Sequence, residues 1–493
     1  MSALREIAEL PGPPGLPLIG NAHQVARGQI HQTLEAWGRE YGPLFRMRFM
    51  SRTWLGVTDT EAMTAALRDR PDGFRRTQLL ETIGREMGML PGVFGVNGDA
   101  WRRQRRMVMA GFDPTHVRAY FPSLLKSAQR LRGRWSKAAN QRVPIELQPD
   151  LMRFTVDAIS GLAFGVDVNT LESDDEIIQQ HLDKIFPALQ RRLLSIIPWW
   201  RIVRSPADHR LERSMAAVNE AIAGFIAQAR ARLAAEPARR AHPPNLLEAM
   251  IVAADADAGE LGNSGANEQG LDDQDVHGNV MTMLLAGEDT TANTLAWLIY
   301  LLRRHPAALQ RAQQEVRELA PDVAEFTPEA IASLDYLEAC VHETMRLKPI
   351  APFNVIEALR DTEIKGVRVP KGAIVWCLMR HDSVDDKRLP NAQAFEPERW
   401  LASSPSAGMA KRLSMPFGAG PRICPGRYLA LLEIKMATAM LLAHFEIDEV
   451  GTAEGTEPRE HMSFTMMPVG LRMKLSVRGA TAPSTLPVPA PNP

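Results

Sequence analysis

One segment of this chain is composed for a reactive sulfur. Cys424 lies in Phe417-Gly418-Ala419-Gly420-Pro421-Arg422-Ile423-Cys424-Pro425-Gly426, where three glycines and two prolines make a rigid, open loop. Its backbone amides can converge on one atom. Arg427–His444, free of Gly and Pro, reads as a long amphipathic helix, and Pro425 suits its first position, which puts Cys424 at the N-cap. There the helix dipole and Arg422 favour the thiolate. A thiolate is a redox sensor, a nucleophile or a metal ligand. A nucleophile needs a partnered base, and no His lies close in sequence. A single thiolate faced by loop amides fits an iron ligand. Cys340 and Cys377 read as small buried hydrophobes. Three scattered cysteines make neither a disulfide framework nor a zinc pattern, and they imply a reducing compartment.

Three other segments stand out. In Ala286-Gly287-Glu288-Asp289-Thr290-Thr291, inside a helix expected over 272–304, Gly287 costs about 1 kcal/mol against Ala, and Thr290 can bond back to the Ala286 carbonyl. Such a helix is bent or thinned for a purpose. Trp101 and Arg105 are four apart in a basic run and share a helical face. Glu343 and Arg346 sit on a helix over 337–347 that stops before Pro349, with Leu337, Val341 and Met345 as its apolar stripe. His342-Glu343 is not a zinc-protease motif, because Arg346 stands where the second His must be.

Phe417-x-x-Gly420-x-Arg422-x-Cys424-x-Gly426 resembles the haem-binding segment of cytochrome P450 monooxygenases at every fixed position. The resemblance runs from the proline-rich start to about residue 470. It implies a mainly α fold with small β-sheets and a long central helix over the haem. Cys424 would ligate the iron of haem b, within a loop shaped by Phe417, Gly420, Arg422 and Gly426. Trp101, Arg105 and Arg422 would meet the propionates. Ala286 and Gly287 would let the central helix pass close over the haem, with Asp289 and Thr290 as an acid–alcohol pair relaying protons to dioxygen. Glu343 and Arg346 would form a buried pair completed by Arg399, as structural support beneath the loop. One departure concerns the propionates: many members carry an Arg on the strand after Glu-x-x-Arg, and Ile356 occupies that place here.

The elements that must position these residues are mostly helical. Strand-like runs occur at 44–49, 53–57, 367–369 and 373–377, and loops are expected at 236–244 and 255–270. With 45% apolar and 23% charged residues the chain can bury a sizeable core. Its near-balance of 57 basic and 58 acidic residues excludes an electrostatic footprint for nucleic acid. A proline-rich lead-in (1–21), one catalytic domain (22–478) and a low-complexity, disordered tail (479–493) are the expected divisions. No stretch approaches the roughly 18 apolar residues of a membrane span, and Arg5, Glu6 and Glu9 argue against a signal or anchor. A cytoplasmic monomer is expected.

The resemblance further implies insertion of one oxygen atom from dioxygen into an apolar substrate by hydroxylation or epoxidation. NAD(P)H would supply electrons indirectly, through an external ferredoxin or flavodoxin and its reductase, docking near Arg102, Arg103, Arg427 and Lys435. The residues after Cys424 are too few for a reductase. The implied pocket draws on 74–96, 185–200, the Ala286 helix, 351–356 and 466–469, and suits a fatty acid, terpenoid, steroid or polyketide. Arg75, Arg76, Arg191 and Arg192 are carboxylate anchors or, as the plainer reading, solvated surface arginines. Other haem-thiolate chemistries (peroxygenase, isomerase, dehydratase), a haem-binding sensor and a metal-free helical protein are the alternatives.

Overall fold

The computed structural model describes residues 4–479, apart from 27, 51, 113, 174–177, 196 and 265–269. The tail read as disordered lies outside these residues from 480 onward. Helices dominate, and the longest is the central helix, Asp273–Arg304. The sequence sets both of its ends. The Asp272 side chain accepts from the Gln274 and Asp275 amides, Asp275 answers the Asp272 amide, and Arg303 and Arg304 face the negative end of the dipole. From Thr291 to Leu302 every residue is buried, so this half is the axis of the main core. The preceding half packs against the helix Leu147–Phe164.

The helix after the cysteine spans Arg427–His444, as the absence of Gly and Pro predicts, but it is not amphipathic. Every residue from Glu433 to Ala443 is buried, because the Phe121–Gln141, Pro306–Leu319 and central helices surround it. The helix expected over 337–347 begins at Asp335, and Leu337, Val341 and Met345 are buried as the stripe requires. The 255–270 loop is a correction. The helix Leu246–Ser264 runs through its first ten residues, since Ala, Asp and Glu there are compatible with helix, and 265–269 lie outside the described residues.

A five-stranded sheet forms the other wall. Its order is Leu44–Phe49, Arg52–Val57, Ile374–Leu378, Phe353–Ala358, Phe74–Arg76, and the pairing of Arg52–Val57 with Ile374–Leu378 is parallel. At its edge the register sets Arg76 opposite Ile356. Cross-strand partners share a face of the sheet, so the two side chains are neighbours. The lead-in is held to the body: Arg5–Glu6 pairs parallel with Val367–Val369, and Ile7 and Leu10 are buried. Near the C-terminus, Glu460–Ser463 and Thr465–Pro468 form a hairpin that turns at Phe464, whose φ is 73°.

Candidate active site

The cysteine loop closes on itself before the helix begins. The Cys424 amide donates to the Phe417 carbonyl at 3.0 Å, which holds Cys424 in the loop. Pro425 and Gly426 then turn, and Gly426 is the N-cap of a helix that starts at Arg427. Cys424 is therefore not the N-cap. Gly420 is required where it stands: its φ is 72°, and a Cβ would come within 2.4 Å of the Leu67 carbonyl oxygen. Phe417 packs, partly buried, against the main core. The balance at the sulfur also differs from expectation. Burial pushes the Cys424 thiol up, while the Gly426 amide, Arg105 and Arg427 pull it down, and burial wins. An amide bonded to a desolvated sulfur, with two guanidinium charges nearby, suits a thiolate whose charge a bound cation would share.

Beside the loop lies a group of guanidiniums without anions. On the helix Gly98–Gly111, Trp101 is buried, and the Arg422 guanidinium stacks 4.8 Å from its ring centroid. Arg422 donates to the Val96 carbonyl at 2.6 Å and to Asn97 Oδ1 at 3.2 Å. Arg105 donates to the Ile423 carbonyl at 2.8 Å, and Arg70 to those of Leu67 and Ala419. Arg76, from the sheet edge, donates to Asn354 Oδ1 at 3.0 Å and lies 4.3 Å from the Phe94 ring centroid. The Nε atoms of Arg76 and Arg422 are buried with no hydrogen-bond partner. Among the described residues, none of these four arginines pairs with a carboxylate.

Burial, then the Arg70 and Arg422 charges, press the Arg76 guanidinium down; burial, Arg70 and Arg105 do the same to Arg422. A guanidinium keeps its proton in proteins, so this pressure measures a missing anion. Two propionates would supply it, and the residues present therefore fit a haem. Trp101, Arg105 and Arg422 come together as expected. Arg76 was not singled out for this role from sequence. It stands beside Ile356, where the expected arginine is missing, and only strand register could have revealed it.

The face of the central helix beyond the loop borders an open, largely apolar cavity of 440 Å³. Thr282, Leu285, Ala286 and Thr290 line it. Gly287 faces elsewhere: a Cβ there would meet Ile159 at 3.3 Å, so this glycine admits the neighbouring helix. Thr290 Oγ1 donates to the Ala286 carbonyl at 2.6 Å, as its spacing predicts. Asp289 accepts from Asn293 at 3.0 Å and from the Thr465 hydroxyl, and among the described residues no hydrogen bond joins it to the Thr290 side chain. Acid and alcohol are sequence neighbours, but about 100° of helical turn sends them to different surroundings. Of the expected pocket segments, 466–469 does not line this cavity. Met462, Phe464 and Thr465 of the same hairpin do.

The expected Glu343–Arg346–Arg399 triad forms and is buried. Glu343 and Arg346 are fully buried, and Arg399 is 3% exposed. Arg346 Nη2 and Nε reach Glu343 Oε1 and Oε2, each at 2.7 Å, and Arg399 Nε reaches Oε1 at 3.0 Å. Trp400 Nε1 at 2.8 Å and the Glu396 amide at 2.9 Å complete the carboxylate's shell. Arg399 Nη2 also reaches Glu396 Oε2 at 2.8 Å, and the other guanidinium hydrogens bond backbone carbonyls, including those of Ser383, Ala392 and Pro390.

Several cations stand elsewhere than expected. Lys435 is 4% exposed and bonds Glu338 at 2.8 Å and the Ala332 carbonyl at 3.0 Å, so it belongs to no docking face. Its helix is surrounded, and a lysine there must find its partners inside. Arg102 is ion-paired with Asp72 and Asp99. Arg427 is partly exposed beside the loop, next to the exposed Tyr428. Arg75 pairs with Glu357 at 2.7 Å, while Arg192 is buried against Asp208 at 3.0 Å with Arg191 at 3.9 Å, which removes all three as free carboxylate anchors. Among the described residues no helix is long and apolar enough to cross a membrane.

Comparison with known proteins bears on the whole arrangement. The model of the cytochrome P450 family matches residues 10–475. Similar proteins include a self-sufficient cytochrome P450 monooxygenase of Aspergillus kawachii, 26% identical over 97% of this chain. A probable cytochrome P450 of Drosophila melanogaster is 29% identical over 88% of this chain and 86% of its own length. The present chain spans 44% of the length of the Aspergillus protein. Among solved structures, the haem domain of cytochrome P450DA superposes with a TM-score of 0.81 at 26% identity, covering 96% of this chain and 99% of that one. With the cysteine loop, the anion-lacking guanidiniums and the helix-lined cavity in these positions, the chain belongs to the cytochrome P450 family.

Proposed function

We propose that the protein is a haem-thiolate monooxygenase that places one atom of dioxygen into an apolar substrate, by hydroxylation or epoxidation. The observation that carries this reading is the guanidinium group without carboxylates beside the Cys424 loop. Cys424 would hold the iron, Arg76, Arg105 and Arg422 with Trp101 the propionates, and Phe417, Gly420 and Gly426 the shape of the loop. Bound haem supplies dioxygen activation, and the thiolate's electron donation favours O–O cleavage. The chain's own residues exclude water, orient the substrate and move protons. Electrons would come from a ferredoxin- or flavodoxin-type donor meeting the loop face near Arg427.

The cavity narrows the substrate. Its walls are mainly apolar, and Arg52 stands on them as an exposed cation, whereas Arg85, also on the wall, is paired with Glu81 at 2.8 Å. A fatty acid, with an apolar body and an anionic end for Arg52, fits best. The test uses haem-loaded protein, a reduced ferredoxin and dodecanoic acid or its methyl ester. Arg52→Gln is expected to weaken binding of the acid by about 2- to 5-fold, the worth of an exposed ion pair, and to leave the ester unchanged. Equal affinities of wild type and variant for the acid would remove the fatty-acid reading. Absence of any oxygenated product from apolar probes would remove the monooxygenase reading.

A further inference from the structure

The central helix also walls a second cavity of 430 Å³, formed with Leu182, Asp183, Pro187 and Met467. Four carboxyl groups line it, Glu146, Asp183, Glu288 and Asp289, and the last three carry no ion pair among the described residues. Glu288 is 3% exposed, and its Oε1 is buried without a hydrogen-bond partner. Asp183 is an exposed residue at the rim whose carboxyl nonetheless sits within the cavity wall. Among the described residues no cluster of His, Cys, Asp and Glu could hold a metal ion, so these carboxyls are not a cation site. Their placement has a different use. Thr465 lines the substrate cavity, and its hydroxyl donates to Asp289 Oδ2, so one hydrogen bond joins the two cavities through the wall between them.

We propose that the second cavity is the proton inlet of the enzyme, with Asp183 receiving protons at the rim and Glu288 storing one beside Asp289. Asp289 then gives a proton to the Thr465 oxygen as that hydroxyl releases its own into the substrate cavity. This rests on the monooxygenase reading, in which each turnover takes up dioxygen, two electrons and two protons and releases one water. The charges around the carboxyls support it. Burial, then Asp183 and Asp289, hold the Glu288 carboxyl well above its usual range. Burial and the Asp289 charge bring Asp183 to about 6, against a small opposing pull from Lys184. Burial raises Asp289 against its bonds to Thr465 and Asn293. The remaining charged wall residue, Glu146, is paired with Arg472 at 2.6 Å. Carboxyls that keep their protons above the ordinary carboxylate range are what an inlet needs.

The test uses the haem-loaded full chain as wild type, Glu288→Gln and Asp183→Asn. Infrared difference spectra between pH 5 and 8 should show protonated-carboxyl absorption, to which Asp183 and Glu433 also contribute, and Glu288→Gln should remove one component of it. With reduced ferredoxin and dodecanoic acid as probe, each variant should lose roughly 10- to 100-fold in turnover, at or below the lower end of the range for a direct general acid because each acts through Asp289. The solvent isotope effect should rise, which a merely structural role would not produce. Unchanged carboxyl absorption together with an unchanged isotope effect overturns the proposal. The infrared arm needs no substrate, and Asp183→Asn lies at the exposed rim, so neither probe choice nor core folding leaves the question open. A wild type lacking the reduced carbon monoxide band of a haem-thiolate protein sinks the parent reading and this proposal with it. A wild type showing the band, with indifferent variants, sinks this proposal alone.

Discussion

Replacing Arg76 by Leu should separate cofactor binding from folding, because the same side chain serves the two in opposite senses. In the haem-free protein Arg76 brings a buried charge beside Arg70 and Arg422, offset by its bond to Asn354 and its stacking on Phe94. The bond is worth about 1 kcal/mol and the stacking about 0.5–1 kcal/mol. Relief of the uncompensated burial and repulsion is of similar size, so apo-protein stability in urea should change by no more than about 1 kcal/mol. In the haem-loaded protein Arg76 would give a charge-assisted hydrogen bond to a propionate, worth about 1.5–3 kcal/mol. At about 1.4 kcal/mol per tenfold, haem affinity should fall by about 10- to 100-fold. The assay is transfer of haem to apomyoglobin, run beside urea unfolding of the apo-protein. Haem transfer at the wild-type rate would refute the propionate role. Equal destabilisation of both forms would assign Arg76 to the fold instead.

The remaining expectations concern buried carboxyls. Glu343→Gln leaves Arg346 and Arg399 without their shared anion in a site where both are buried, and should cost about 3–5 kcal/mol in denaturant unfolding. Arg118→Gln, which breaks an exposed pair with Glu329, should cost less than about 1 kcal/mol. Comparable losses in the two variants would mean that the Glu343 pair is no more than a surface contact. Glu433 is buried, with Oε1 unpartnered, and burial pushes its carboxyl up to about 8 against a bond from Thr291. Its folded pKa lies above its unfolded one, so its stabilising share is present below about pH 4.5 and is lost as pH rises toward 8. Glu433→Gln should therefore raise the melting temperature more at pH 8 than at pH 5. An equal effect at both would show that Glu433 titrates normally.

Local chemistry was readable in the sequence wherever the relevant neighbours are close along the chain. The glycines and prolines around Cys424 dictate the loop, Asp272 and the terminal arginines bound the central helix, and Thr290 bonds one turn back to Ala286 as spacing requires. What was hidden depends on distant partners. The register that seats Arg76 beside Ile356 joins strands far apart in the chain. Asp289 takes its hydrogen bond from Thr465, 176 residues on, rather than pairing with adjacent Thr290. Lys435 looks like a surface charge in sequence, and only the helices packed around it make it an internal partner of Glu338. The thiol balance at Cys424 differs from the sequence expectation for the same reason, since desolvation is a property of the packed loop and not of its residue types. Gly287, too, is explained by a second helix rather than by its own motif.

The central claim is that Cys424 ligates a haem iron, and the absorption spectrum of the reduced, carbon monoxide-treated protein tests it most directly. Wild type should show the strongly red-shifted carbonyl band of thiolate ligation, and Cys424→Ala should lack it. No haem band in the wild type, or the same band in both proteins, would contradict the claim.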